Sequence, residues 1–310
     1  MKKIINSFPI DAVVTWVDGN DIHHKAKMFR FIDEKQMSIK DFKLRYEQIN
    51  EIKFCLDSLI KFAPYLRKIF LITDEQKPDF LNLESDPKYK KVVIVDHKEI
   101  FSGYDDYLPT FSSLSIESCL HRIPGLAEHF IYLNDDFFLI NHTFKEDFFR
   151  DGYPVLRGKW LKYDSDIFYK RLTKKRDGFK AQQQNSAKLA GSSKYFRSFH
   201  TPYPLRKSTL ESFFNHNHEI FLNNIQFKFR NGQQFVPQVL ANHVEIKNGT
   251  CFLERDLKLI YFRSFNKPII WYALIIRLKR KSLFLGLQSL SSCPPKTLRY
   301  ILNYLDKVLY

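Results

Sequence analysis

The triplet Asn134-Asp135-Asp136 follows a continuous apolar run, Phe130-Ile131-Tyr132-Leu133, and sets two carboxylates side by side at its end. Hard divalent cations such as Mg²⁺ take carboxylate oxygens and keep phosphate oxygens as further ligands, so such a pair suits a metal-bound phosphate. Two adjacent acids alone are a weak pointer. Three more carboxylates close similar runs: Asp18 after 10–17, Asp74 after Ile69-Phe70-Leu71-Ile72-Thr73, and Asp96 after Val92-Val93-Ile94-Val95. Aspartate also favours strand-to-loop turns for local reasons, so any one of them is equally well a simple turn former. His200, in His200-Thr201-Pro202-Tyr203-Pro204, lies between polar sequence and two prolines that fix it in a loop. With an ordinary pKa near ~6.5, an imidazole there is able to accept a proton from a hydroxyl. A structural or surface role is the commoner fate of such a residue. Arg45 and Arg230 offer the planar fork that suits a diphosphate, although a basic chain has many arginines. Glu117, at the end of a predicted helix, is mute by itself.

The elements that must position these residues alternate in type. Residues 10–17 read as a strand that ends in the turn signal Asp18-Gly19-Asn20-Asp21. Ile52, Cys55, Leu56, Leu59, Ile60 and Ala63 recur at helical spacing, and Pro64 stops that helix. Residues 69–72, 92–95 and 130–133 are short apolar runs suited to strands buried on both faces. A second helix is predicted over 110–121, punctuated by Pro124-Gly125. Strands alternating with helices predict an α/β fold, Rossmann-like, with a mostly parallel sheet and flanking helices. In such sheets the ligand crevice lies outside the carboxyl ends of the strands. Parallel strands would therefore gather Asp18, Asp74, Asp96 and Asp135/Asp136 along one edge.

Composition bounds the partners. The 310 residues carry 49 Lys+Arg against 34 Asp+Glu, a net +15 that favours an anionic partner without choosing among nucleic acid, lipid and phosphorylated substrate. The four cysteines form no C-x-x-C pair, which argues for reduced thiols rather than a disulfide framework or zinc site. Asn6, Ser7, Pro9 and Asp11 interrupt any signal-peptide core, and the longest apolar run, 269–276, is far short of the ~20 residues that span a bilayer. A cytoplasmic chain, peripheral on the inner membrane face, is the resulting expectation. After residue 150 the pattern loosens into what reads as loops and helices, with a basic stretch at 170–176. The predicted organisation is a catalytic α/β domain over 1–265 (core 8–150, closing segment 151–265) and a helical basic tail over 266–310. In that tail Leu298, Ile301, Leu302, Leu305, Val308 and Leu309 make an apolar stripe, and Arg277, Lys279, Arg280 and Lys281 a cationic cluster. Such a helix either lies on an anionic membrane or packs on the body with its cations solvated.

Several segments together are specific. The triplet at 134–136 resembles the acidic motif that glycosyltransferases place at a sheet edge. Ile10-Asp11-Ala12-Val13-Val14-Thr15-Trp16-Val17-Asp18-Gly19 comes first, then Arg45, Ala63-Pro64-Tyr65-Leu66-Arg67-Lys68-Ile69 and Thr73-Asp74-Glu75-Gln76-Lys77-Pro78. Leu108-Pro109-Thr110-Phe111-Ser112-Ser113, Ile116-Glu117, His121-Arg122-Ile123-Pro124-Gly125-Leu126 and the run 130–138 follow. Last come His200-Thr201-Pro202-Tyr203-Pro204-Leu205-Arg206-Lys207 and Phe229-Arg230. In this order, over roughly residues 10–240, they resemble the Stealth family of bacterial capsular polysaccharide phosphotransferases. That family is related to the eukaryotic enzyme that places GlcNAc-1-phosphate on lysosomal glycoproteins. Glu75 stands where a glycine is usual, Glu51-Ile52-Lys53-Phe54 only partly follows the Glu-Leu-Arg-Tyr form, and Asn231-Gly232-Gln233-Gln234 lacks the acids of eukaryotic relatives.

The resemblance implies a GT-A-like nucleotide-binding core and transfer of hexose-1-phosphate, with N-acetylhexosamine-1-phosphate the expected unit. The donor would be a UDP-sugar, the acceptor a hydroxyl of an anionic capsular polysaccharide, and the leaving group UMP. It implies catalytic roles for His200, Asp136, Glu117 and Arg230, and donor contacts from Thr15, Trp16, Asp18, Gly19, Arg45, Asp74 and Asn134. Mg²⁺ would sit at Asp135 and Asp136, and the tail would contact membrane or capsule-assembly partners rather than nucleic acid. Two alternatives stay open on the residues themselves: a GT-A-type glycosyltransferase that releases UDP, and a non-catalytic basic protein that binds membrane or nucleic acid.

Overall fold

The computed structural model describes residues 8–32, 49–82, 86–168, 178–199 and 201–310. Arg45, His200 and the basic stretch 170–176 lie outside them. The strands are β1 (Ile10–Thr15), β2 (Ile69–Thr73), β3 (Val92–Asp96), β4 (His129–Asn134), β5 (Phe137–Leu139), β6 (Phe149–Arg150), β7 (Tyr153–Leu161), β8 (Tyr195–Ser198), β9 (Tyr203–Arg206), β10 (Phe252–Glu254), β11 (Leu259–Phe262) and β12 (Phe284–Leu287). The helices are α1 (Ile22–Phe29), α2 (Glu51–Phe62), α3 (His97–Ile100), α4 (Ser113–Ser118), α5 (Phe179–Leu189), α6 (Lys207–His216), α7 (His218–Ile225), α8 (Pro237–Asn248), α9 (Ile269–Leu278) and α10 (Pro295–Leu309). The largest sheet has the order β3-β2-β1-β4-β9, parallel at β1–β2 and β2–β3 and antiparallel at β4–β9. The chain is thus mixed α/β, with the parallel strands the apolar runs predict.

Two compact units divide the chain. One comprises Ala12–Asp96, Leu133–Phe144 and Lys258–Tyr310. Its strands β1, β2 and β3 run parallel, registered so that Thr15 lies opposite Ile72 and Thr73 opposite Asp96. β2 is buried throughout, as a strand covered on both faces must be. α2 turns Ile52, Cys55, Leu56, Leu59 and Phe62 inward. The Ser58 hydroxyl accepts the Leu139 N–H at 3.0 Å, and the Thr143 N–H donates to the Phe62 carbonyl at 2.9 Å, which ties the helix to β5 and its exit.

The stretch after Pro268 is predicted helical throughout, yet β12 interrupts it as a buried strand, parallel to β11 and antiparallel to β5. Gly286 is what admits it. A Cβ there would meet the Tyr261 ring at 2.7 Å and the Phe137 ring at 2.8 Å, so only a bare backbone fits between the two aromatics. α10 follows and buries Ile301, Leu305 and Leu309, half of the apolar stripe, within this unit. Full burial of each such side chain stabilises by about 2 kcal/mol. At its end the Tyr310 hydroxyl donates to the Asp57 carboxylate on α2. Asp57 also receives Lys88 at 2.7 Å, Tyr89 at 2.8 Å and Lys53 at 3.0 Å.

The other unit comprises Met1–Asp11, His97–Tyr132 and Lys145–Leu257. Here the expectation of loops and helices after residue 150 is corrected, because β7 is a nine-residue strand at the centre of a small sheet with β6, β8 and β10. Its apolar residues are broken by Arg157, Gly158 and Lys159, which masked the strand pattern. Arg157 is nonetheless buried, with its guanidinium donating to the Asp147 carbonyl at 2.7 Å. Gly158 lets the Arg197 carbonyl approach to 2.4 Å of where a Cβ would stand. The helix predicted over 110–121 is also shorter. Phe111 N–H donates to the Lys228 carbonyl at 2.7 Å and the Thr110 hydroxyl to the Phe227 carbonyl at 3.0 Å, so 110–112 stay extended. Bonds to a segment more than a hundred residues away thus take the place of a first helical turn.

Two outcomes are expected. Burial raises the Asp57 pKa, but hydrogen bonds from Lys88, Tyr310, Lys53 and Tyr89 outweigh it, and the carboxyl lies below its ordinary value. A depressed folded pKa means that the stabilisation is complete above the unfolded value of about 3.9 and is lost as pH falls below it. Asp57→Asn should therefore cost about 3 kcal/mol at neutral pH, and urea titrations at pH 7 and pH 3 should find the gap to wild type narrowed at the lower pH. Glu75 has φ 56°, the left-handed region that favours glycine. Glu75→Gly should raise the thermal midpoint slightly, by the equivalent of about 1 kcal/mol less its ion pair with Lys27; a clear loss in Tm would contradict the strain.

Candidate functional site

In the first-described unit, the carboxyl ends of the three parallel strands carry a connected polar network. The backbone N–H of Asp18 donates to Gln76 Oε1 at 2.9 Å, and Gln76 Nε2 donates back to the Asp18 carbonyl at 3.1 Å. This amide clamp joins the loop after β1 to the loop after β2. Asp18 Oδ1 accepts the Asn20 N–H at 2.8 Å, and Asp21 caps α1 by accepting the His24 N–H at 2.6 Å. Lys27, one turn further along α1, places its ammonium 2.9 Å from Asp74 and 3.0 Å from Glu75. Burial alone would lower the Lys27 pKa; the two carboxylates raise it instead. The Glu75 N–H donates to Asp96 Oδ2 at 2.7 Å, which brings in the end of β3. Asp18, Asp74 and Asp96 are thus gathered at one sheet edge. Trp16 is buried and continues the ladder by donating its N–H to the Ile72 carbonyl at 3.0 Å, Thr15 is half-buried, and Gly19 is buried in the turn.

Asn134, Asp135 and Asp136 form the β4–β5 turn of the same unit. The Leu287 N–H of β12 donates to the Asp136 carbonyl at 3.0 Å and pins the turn, while the Cys55 thiol lies 3.9 Å from the Asn134 carbonyl. The Asp136 carboxyl has one oxygen, Oδ1, sealed from solvent without a hydrogen-bond partner. Desolvation, reinforced by the nearby Glu51 carboxylate, pushes its pKa up to about 7. Glu51, buried at the start of α2, is itself raised by desolvation. A poorly solvated carboxyl that also feels a second carboxylate calls for a proton or a cation. Among the described residues no three His, Cys, Asp or Glu side chains form a set that could hold a metal. A pair of carboxylates nonetheless fits Mg²⁺, which commonly takes one or two protein carboxylates and completes its shell with water and phosphate oxygens.

In the second-described unit, Glu117 and Arg230 come together. Glu117 is 5% exposed on the last turn of α4 and accepts the Tyr132 hydroxyl at 3.0 Å. Burial raises its pKa, opposed by Gln238, by the Arg230 charge, by Tyr132 and by Ser113. Arg230 is exposed and donates to the Ser113 hydroxyl at 2.6 Å. Its loop is fixed by Gln234, fully buried, which accepts from the Ser112 hydroxyl at 2.9 Å and the Asn231 N–H at 2.9 Å. The same amide donates to Ser115 at 3.0 Å and to the Asn224 carbonyl at 2.8 Å. Phe111 stacks on Phe229 with ring centroids 5.2 Å apart. The guanidinium is therefore exposed on a loop that buried hydrogen bonds hold in place.

Sequence reasoning missed Glu51, Lys27, Gln76, Ser113, Gln234 and Gln238. Glu51, Gln76 and Ser113 lay inside the segments compared with the family, and Gln234 in the compared stretch after Arg230, so their place in the chain was a signal; Lys27 and Gln238 have none beyond being polar.

Comparison with known proteins names the family. Residues 8–35 match Stealth protein CR1, conserved region 1, and residues 45–157 match Stealth protein CR2, conserved region 2. The capsular polysaccharide phosphotransferase WcwK of Streptococcus pneumoniae is 34% identical over 251 residues, 72% of this chain and 74% of WcwK. The exopolysaccharide phosphotransferase SCO2592 of Streptomyces coelicolor is 36% identical over 220 residues, 68% of this chain but only 22% of that longer protein. Among solved structures, the galactosyltransferase LgtC in complex with donor and acceptor sugar analogues aligns over 96% of this chain and 95% of its own, with 10% identity and a TM-score of 0.48. The chain belongs to the Stealth family of polysaccharide phosphotransferases and is a transferase.

Proposed function

We propose that the chain transfers hexose-1-phosphate, as an intact unit, from a UDP-sugar to a hydroxyl of a capsular or cell-surface polysaccharide. The observation that carries this reading is its kinship to proteins named as capsular and exopolysaccharide phosphotransferases. In the reaction the acceptor oxygen forms a bond to the β-phosphorus of the donor. The bond from that phosphorus to the bridging oxygen breaks, UMP leaves with the electron pair, and the acceptor proton passes to a base. The product is a phosphodiester.

Phosphoryl-type transfer needs positioning and charge neutralisation more than covalent help. In this reading the Asp18–Gln76 clamp, with Thr15, Trp16, Gly19, Asp74 and Asn134, holds the donor. Asp135 and Asp136 would hold Mg²⁺, which when bound offsets the pyrophosphate charge; the sealed oxygen of Asp136 supports that fit. The exposed guanidinium of Arg230, carried on its braced loop, and Arg45 bind phosphoryl oxygens. His200 accepts the acceptor proton, and Glu117 orients its partner groups. The net charge of +15 favours retention of an anionic polymer.

Incubation with UDP-N-acetylhexosamines and short phosphosaccharide acceptors should release UMP; release of UDP instead would mean attack at the anomeric carbon and would overturn the reading. His200→Ala should lower turnover by about 10²–10⁴-fold, the usual worth of a general base, with nucleotide affinity little changed. Near-normal turnover in that variant would remove the assignment. Mg²⁺ added with UDP should raise the wild-type Tm beyond UDP alone, and Asp136→Asn should abolish that increment.

A further inference from the structure

α9, Ile269-Ile270-Trp271-Tyr272-Ala273-Leu274-Ile275-Ile276-Arg277-Leu278, has nine apolar residues in ten, yet it buries only Tyr272. Tyr272 anchors one face: its hydroxyl donates to the Ser264 carbonyl and accepts the Lys267 N–H, each at 3.1 Å, and its ring meets Phe262 edge-on with centroids 5.0 Å apart. The opposite face is open. Ile270 is 78% exposed, Leu274 52%, Leu278 70% and Trp271 39%. Spacing of i, i+4 and i+8 puts Ile270, Leu274 and Leu278 in one stripe, and Trp271 borders it. A stripe of three aliphatic side chains and an indole facing water is a surface with a missing partner.

The charge around it identifies that partner. Arg277, Lys279, Arg280 and Lys281 are all exposed at the carboxyl end of the helix. Between Asp256 and Asp306 the chain has no acidic residue at all, against nine Lys and Arg. A second copy docked parallel would bring the same cations face to face, which repels, and one docked antiparallel would leave them without counter-charges, since no acidic residue lies between Asp256 and Asp306. A nucleic acid or anionic polysaccharide would satisfy the cations but leave the aliphatic side chains in water. An anionic bilayer surface satisfies both, because acyl chains receive the stripe while headgroup phosphates meet the basic rim. Ten residues of helix extend about 15 Å, half of a hydrocarbon core, so α9 suits lying in the interface and not crossing it.

We infer that α9, with the basic segment that follows it, docks the protein on anionic phospholipid membranes. The site differs from the apolar stripe of α10, which is partly spent on burial within its own unit. It is also independent of the phosphoryl chemistry, and its test reads lipid binding alone.

The full chain should co-sediment with phosphatidylcholine vesicles that contain phosphatidylglycerol and not with pure phosphatidylcholine. The double variant Leu274→Glu/Leu278→Glu should bind the anionic vesicles at least about tenfold more weakly. Replacing Arg277, Lys279, Arg280 and Lys281 by Gln should weaken binding by about 100-fold or more and remove its sensitivity to added salt. Both variants change exposed side chains, and unaltered thermal midpoints check that they fold. Absence of wild-type binding, or equal binding by the Leu274→Glu/Leu278→Glu variant, would overturn the inference. So would a wild-type dimer in sedimentation velocity that this variant converts to monomer, which would assign the stripe to a second copy. Turnover on soluble acceptors reports separately on the proposed function.

Discussion

An ionised carboxylate withdrawn from water must be met by donors, by a cation or by a proton, and much of this molecule is arranged around that requirement. At the ends of β1, β2 and β3 the demand is met internally: backbone N–H groups and the ammonium of Lys27 surround Asp18, Asp74 and Asp96. Asp57 is satisfied four times over, by two ammonium groups and two phenols. Asp136 is the contrasting case. Its Oδ1 has no donor, its near neighbour Glu51 is of like charge, and its pKa is driven to about 7. A carboxyl in that condition keeps an acceptor oxygen that nothing among the described residues satisfies.

Glu117 meets the same requirement in an intermediate way. It is buried against Tyr132 and close to the charge of Arg230, so its burial cost is partly offset. The arginine in turn bonds Ser113 through one terminal nitrogen, leaving the rest of an exposed fork to face solvent. A guanidinium with part of its donor set committed and part open is directional, which matters more for phosphoryl oxygens than charge alone.

What the sequence made legible follows the strength of local signals. β1, β2, β3 and β4 were evident because short apolar runs that end in Asp or Asn-Asp admit few other readings, and α2 because its apolar positions keep helical spacing up to Pro64. The short α4 was overread: Thr110 and Ser112 bond to a loop more than a hundred residues away, and no periodicity announces that. β7 escaped because Arg157, buried by virtue of a distant carbonyl, looks like a surface residue in sequence. β12 escaped because a glycine between two rings is meaningful only once Tyr261 and Phe137 are adjacent. For the site, Asp18, Asp74, Asn134, Asp136, Glu117 and Arg230 were named from their motifs; the structure puts Asp18 and Asp74 at the ends of neighbouring strands and Glu117 close to the Arg230 charge. Glu51 passed unremarked as half of a carboxylate pair, since the pairing is purely tertiary.

The two loops with most to do are braced by neutral amides. Gln76 grips both backbone groups of Asp18, and Gln234 distributes its amide over four partners beneath Arg230. A carboxamide neither titrates nor attracts counterions, so these supports keep their shape whatever the protonation of the charged groups around them. The scaffold is in this sense electrically silent, and the shape of the loops does not depend on the charge state of the groups they carry.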